Sequence, residues 1–130
     1  GIIKPGLYRM QVRALMQAAV TRRAKGGNPI VEIMIPLIVS EPELKLLEQW
    51  CREEADAVLA EAKVELPYLV GTMIETPRAV LDPLSIALAT EPALPLGALV
   101  LGLNDLARET GARDDGSRRA PRLDTHASHR

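Results

Sequence analysis

A chain of 130 residues allows one domain built on one modest core. Its 47% hydrophobic and 25% charged content excludes a disordered chain, and its net charge of −1 gives no electrostatic case for nucleic acid or an anionic membrane. With one Trp, two Tyr and no Phe the core must come from Leu, Ile, Val, Met and Ala, while the single cysteine, Cys51, excludes an internal disulfide.

No run approaches the ~18 apolar residues of a membrane span, and Gly1-Ile2-Ile3-Lys4 is not a signal peptide. The start lacks an initiator Met, so the chain is expected to be a piece of something longer, in the reducing cytoplasm. Pro5-Gly6 opens a helix to about Lys25, on which Leu7, Met10, Ala14, Leu15 and Ala18 recur at helical spacing. Arg9, Arg13, Arg22, Arg23 and Lys25 form a basic face, expected to be solvated surface. Gly26-Gly27-Asn28-Pro29 stops the helix. Ile30 to Ile38 is strand-like, with Pro36 marking its expected end. Ser40-Glu41-Pro42-Glu43 is a capping-box pattern that starts a second helix. Its stripe of Leu44, Leu47, Cys51, Ala55, Val58, Leu59 and Ala62 places Cys51 in the core.

The run Tyr68 to Ile74 predicts a strand buried on both faces, as in a parallel sheet. It delivers Glu75 at its carboxyl end, followed by a proline-marked turn. Asp82-Pro83 is an N-cap with proline at N1, which predicts a short helix to about Thr90. Pro92, Pro95 and Gly97 break the chain before a strand at Ala98–Leu103, and Asn104-Asp105 leads into a helix that Gly111 ends. From Arg113 the pattern fails, so residues 113–130, with His126 and His129, are expected to be a disordered, solvated tail.

Strands alternating with helices imply an α/β fold with a parallel sheet. Three strands cannot close a barrel of ~250 residues, so residues 1–112 are expected to be a segment of a (β/α)₈ TIM barrel. Glu75 and Asp105 each stand where such sheets bind ligands, at the carboxyl ends of strands, and together make a site for a hard cation. Two competing roles stay open at this point: Glu75 as a solvated strand end, and Asn104 or Asp105 as a helix cap.

Three motifs carry a resemblance: Lys4-Pro5-Gly6-Leu7-Tyr8-Arg9-Met10-Gln11, Glu32-Ile33-Met34-Ile35-Pro36-Leu37 and Gly71-Thr72-Met73-Ile74-Glu75. Over about 80 residues the chain resembles the pyruvate phosphate dikinase family, in its C-terminal phosphoenolpyruvate-binding (β/α)₈ domain. Leu101-Gly102-Leu103-Asn104-Asp105 keeps that family's Gly, Asn and Asp. The stretch from Leu99 to Arg113 is more similar to the citrate lyase β-subunit and 2-keto acid aldolase relatives of the same superfamily.

The resemblance implies that Glu75 and Asp105 are protein ligands of Mg²⁺. It implies that Asn104 is catalytic and donates to the substrate enolate, and that Gly102 and Leu103 offer main-chain amides to the carboxylate of pyruvate or phosphoenolpyruvate. Leu103 stands where the family has Thr, so a side-chain contact is lost there. Arg78 matches a family Pro-Arg-Ala and is left outside the catalytic set. The family's substrate arginines, its acid–base cysteine and its phosphohistidine match nothing here. The implied parent is a cytoplasmic transferase, a homo-oligomer, that interconverts pyruvate, ATP and phosphate with phosphoenolpyruvate, AMP and pyrophosphate. A Mg²⁺-dependent carbon–carbon lyase is the alternative enzyme. An inactive truncated barrel piece is the alternative for the 130 residues alone.

Overall fold

The computed structural model describes residues 2–89 and 96–112. In chain order it holds α1 (Pro5–Ala24), β1 (Val31–Ile35), α2 (Glu41–Ala62), β2 (Tyr68–Ile74), α3 (Pro77–Leu81), α4 (Pro83–Ala87), β3 (Leu99–Leu101) and α5 (Leu103–Thr110). The strands form one parallel sheet in the order β1-β2-β3. Ile33 lies opposite Val70, Ile35 opposite Thr72, and Ile74 opposite Leu101. This is the α/β arrangement of parallel strands and flanking helices that the sequence predicts. The helix expected from Pro83 to about Thr90 ends earlier, at Ala87 with Leu88 as its C-cap, while the breakers Pro92 and Pro95 and the tail 113–130 with His126 and His129 lie outside the described residues.

One sheet face carries the core. Val31, Ile33 and Ile35 of β1 and Val70 and Ile74 of β2 are buried against Val12, Met16 and Ala19 of α1 and Leu44, Leu47, Cys51, Ala55 and Val58 of α2. Burial of each large aliphatic side chain contributes roughly 1.5–3 kcal/mol. The other face stays open among the described residues: Met34, Leu69 and Val100 are all exposed. The expectation that β2 is buried on both faces is therefore corrected. A purely aliphatic strand has the composition for two covered faces, but the described helices cover only one.

The predicted stripe of α1 is corrected as well. Leu7, Met10, Ala14, Leu15 and Ala18 are exposed, and the buried face is Val12, Met16 and Ala19. Both sets follow helical spacing, so periodicity alone offers two phases. Ion pairs with α2 accompany the observed one. Arg9 contacts Glu53 at 2.6 Å, and Arg13 contacts Glu54 at 2.5 Å and Glu61 at 3.0 Å. Two members of the basic face expected to be solvated thus tie α1 to α2.

That network has a pH signature. The Arg9 guanidinium beside Glu53 and the Arg13 guanidinium beside Glu61 hold both carboxyls below the ordinary value of 4.5. A carboxylate depressed in the folded state contributes stability that is present above its unfolded pKa and lost as pH falls through its folded pKa. Thermal midpoints of the chain should therefore fall with pH below about 4.5, less steeply in Arg13→Gln. The effect is small, because the pairs are exposed. Equal slopes in the two proteins would dismiss the pairs as its source.

Local chemistry sets where the elements stop. Pro36 cannot donate to the ladder, and Leu37 turns left-handed at φ 56°, so β1 ends at Ile35, at the proline expected to end it. Ser40 makes no side-chain cap; Glu43 instead accepts from the Val39 N–H at 2.8 Å. The turn expected after Glu75 is helical: Thr76 is the N-cap of α3 and accepts from the Ala79 N–H at 3.3 Å.

Candidate functional site

The carboxyl-terminal edge of the sheet is where the chain gathers polar groups. Thr72 donates from Oγ1 to the Ile35 carbonyl at 2.8 Å, and Thr76 donates from Oγ1 to the Ile38 carbonyl at 2.8 Å. Between them in sequence stands Glu75, buried at 2% exposure. Its Oε1 accepts from the Leu37 N–H at 2.8 Å, and it makes no ion pair among the described residues. This is not a solvated strand end.

The parallel register carries the next strand to the same edge. Ile74 pairs with Leu101, and the Gly102 N–H donates to the Ile74 carbonyl at 2.9 Å, so Gly102 follows level with Glu75. The approach is close. A Cβ on Gly102 would collide with Oε2 of Glu75 and stand 2.6 Å from its Cβ. Glycine is required there for space, since its φ of −88° suits any residue.

Gly102 is also the N-cap of α5, without a side-chain cap, and Leu103, Asn104 and Asp105 form the first turn of that helix. Neither Asn104 nor Asp105 is the cap, so the competing role for both is set aside. Their main-chain N–H groups belong to the turn that has no intrahelical carbonyl partners. Asn104 is exposed, Leu103 is 38% exposed and Asp105 is half-buried. Glu75 and Gly102 are thus in contact, with the other three expected site residues in the helical turn that follows. Among the described residues no group of three or more His, Cys, Asp or Glu side chains is arranged to hold a metal. Any cation at this edge would complete its shell from substrate and water.

Thr76, Leu37 and Ile38 were not singled out from the sequence. Thr76-Pro77 carried a signal, an N-cap residue before proline at N1. Nothing in Pro36-Leu37-Ile38 announces a left-handed leucine.

Two other hollows are separate from this edge. A cleft of about 980 Å³ lined by Arg52, Asp56, Lys63, Glu65 and Tyr68 opens at the amino-terminal end of β2. There Tyr68 donates to Asp56 at 2.7 Å and Arg52 is paired with Glu48 at 2.6 Å, so much of the polar lining is already satisfied. A groove of about 250 Å³ between α1 and β1 is lined by Tyr8, Val12, Leu15, Met34 and Cys51. Burial pushes the Cys51 thiol up to about 11, which leaves it protonated at neutral pH and suits packing.

A parallel three-stranded sheet with flanking helices, in which Gly102 after β3 is fitted against the buried Glu75 after β2, defines an α/β chain and makes the carboxyl edge of the sheet its candidate ligand site. The family described as PEP-utilising enzyme, PEP-binding domain, matches residues 1–126, and the chain belongs to that family. It is 43% identical over 117 residues to pyruvate, phosphate dikinase, chloroplastic, of Flaveria trinervia, covering 88% of this chain and 12% of that protein. The pyruvate, phosphate dikinase of Clostridium symbiosum is 38% identical over 117 residues, covering 88% and 13%. That of Giardia intestinalis is 35% identical over 124 residues, covering 94% and 13%. The chain thus matches the PEP-binding domain of dikinases and spans about an eighth of their length. The family match runs beyond the 80 residues over which the motifs are clearest.

Proposed function

We propose that this chain forms part of the phosphoenolpyruvate/pyruvate site of a dikinase-type phosphotransferase whose PEP-binding domain is a (β/α)₈ barrel. One observation carries the reading: a buried carboxylate, Glu75, without an ion pair among the described residues, stands against a glycine that only its close approach requires, in a chain belonging to this family. Barrel closure is supported by the exposed aliphatic face of the sheet, which further strands would cover.

The residues fit a Mg²⁺ ion by the chemistry of their donors. Glu75 at the end of β2 and Asp105 in the first turn of α5 both carry hard carboxylate oxygens, and Mg²⁺ is typically held by one or two carboxylates plus substrate and water. Bound there, the ion would supply positive charge against the oxygen that becomes negative as phosphoenolpyruvate turns into the pyruvate enolate. The chain's own residues do the rest. The Leu103 and Asn104 main-chain N–H groups at the start of α5 meet the substrate carboxylate, with the positive end of the helix favouring that charge. The Gly102 N–H, expected from the sequence to join them, is committed to the Ile74 carbonyl at 2.9 Å, and that expectation is corrected. The Asn104 side chain, exposed at the rim, donates to the enolate oxygen. The small-molecule substrate, the homo-oligomer and the cytoplasmic setting are part of the same proposal. No described helix is long and apolar enough to cross a membrane.

The whole activity belongs to the protein that carries this chain together with its arginines, cysteine and phosphohistidine. Mg²⁺-dependent exchange of pyruvate methyl protons with deuterated water, followed by NMR on that protein, tests the proposal. Exchange that stops with a chelator is expected. Cleavage of malyl- or citramalyl-CoA without phosphoenolpyruvate turnover would replace it by the lyase.

A further inference from the structure

Glu75 and Thr76 are neighbours in sequence, and each bonds one of two neighbours in the loop between β1 and α2. Glu75 Oε1 accepts from the Leu37 N–H, and Thr76 Oγ1 donates to the Ile38 carbonyl, both at 2.8 Å. The loop adopts an unfavourable shape to meet them. Leu37 is left-handed at φ 56°, a conformation that L-residues with a Cβ avoid, yet its side chain is 54% exposed and gains little burial. What the shape provides is the N–H aimed at Glu75, with Ile38 fully buried beside it. Thr76 is itself buried, at 9% exposure, and caps α3 through the same oxygen. A cap needs only an acceptor. The donated bond to Ile38 is an additional tie to a distant loop.

We infer that Thr76 and the Leu37 main-chain N–H are positioning groups for the Glu75 carboxylate, committing Oε1 to the loop so that Oε2 alone is presented beside Gly102. The inference rests on the reading of Glu75 as a cation ligand. It names a specificity device, since a carboxylate offered through one oxygen suits a small octahedral ion better than one that takes both oxygens. Neither group touches the cation or the substrate.

Mn²⁺ serves as the probe, its free concentration read by electron paramagnetic resonance in the intact protein that carries this chain. Direct partners of ligating groups typically change metal affinity by roughly 10–100-fold. Thr76 acts one step further out, through the loop that carries the Leu37 N–H. Thr76→Val should therefore weaken Mn²⁺ binding by up to about tenfold, while Thr76→Ser keeps it within about twofold. Leu37→Gly keeps the N–H and removes the strain, and should bind as the unsubstituted protein does. A structural role alone would not give hydroxyl-specific rescue of affinity. The Leu37 amide should also exchange with solvent deuterium slowly, and faster in Thr76→Val than in Thr76→Ser. Undiminished Mn²⁺ affinity in a folded Thr76→Val protein overturns the inference. So does a Leu37 amide that exchanges freely in the unsubstituted protein, a result that needs no variant to fold. Undiminished affinity in Glu75→Gln defeats instead the reading of Glu75 as a ligand.

Discussion

Gly102→Ala is expected to cost about 2 kcal/mol of stability and to abolish cation binding at the sheet edge. The added methyl would meet Oε2 of Glu75 and stand 2.6 Å from its Cβ and 3.2 Å from its Cδ. The far end of a flexible side chain can step aside, but a Cβ fixed to the end of β2 cannot. Either β3 and α5 retreat from β2, breaking the Gly102 to Ile74 hydrogen bond, or Glu75 leaves its place on the Leu37 amide. Both outcomes separate Glu75 from the first turn of α5. Gly71→Ala is the matched control. Its Cβ would stand 2.7 Å from the Ala98 carbonyl oxygen, also between β2 and the chain leading into β3, but away from Glu75. Denaturant melts with Mn²⁺ titration separate the two: both variants lose stability, and only Gly102→Ala loses the ion beyond what unfolding explains. Retained ion binding in folded Gly102→Ala would show that the contact is packing and nothing more.

The architecture was legible because it rests on local signals. Prolines at the starts of α1 and α4, the Gly26-Gly27-Asn28-Pro29 stop and the clean stripe of α2 each act within one turn of chain. Of the α2 stripe, Leu44, Leu47, Cys51, Ala55 and Val58 are buried as expected, and only Ala62 at its end is exposed. The phase of α1 was not legible. Its apolar residues are spread around the helix, and which of them enter the core depends on the packing of β1 and α2, a tertiary matter.

The same division runs through the candidate site. That the segments after β2 and β3 share an edge follows from two aliphatic strands in one parallel sheet, and the register sets Gly102 beside Glu75; Asp105, read from the sequence as the acid at the second strand end, lies instead in the first turn of α5. That Gly102 is needed for the approach of Glu75 rests on a distance between side chain and backbone, which no pattern in one sequence records. Helix capping illustrates the limit from the other side. Asn and Asp are preferred caps, yet the chain caps α5 with Gly102 and places Asn104 and Asp105 inside the first turn. Tertiary space around Glu75 decided against the local preference.

Glu75→Gln should weaken Mg²⁺ or Mn²⁺ binding on the order of 100-fold or more, beyond what loss of an outer partner typically causes. Folding should be unharmed. Glutamine keeps an oxygen that can accept from the Leu37 N–H, and it removes a charge that is buried without an ion pair among the described residues. Stability is therefore expected to hold or to rise by up to ~1 kcal/mol. Glu75→Ala should separate the two effects. It loses the ion equally but leaves the Leu37 N–H without its acceptor, at a cost of about 1–3 kcal/mol. Asp105→Asn should weaken the ion comparably and change stability little, since Asp105 is half-buried and does not cap its helix. Calorimetric titration with thermal melts on the same three variants reads both quantities. Loss of stability in Glu75→Gln that matches Glu75→Ala, with ion binding intact in both, would reduce Glu75 to a structural anchor of the β1–α2 loop. Loss of the ion in Glu75→Gln and Asp105→Asn, with the fold intact in both, is what a two-carboxylate site built from the end of β2 and the first turn of α5 requires.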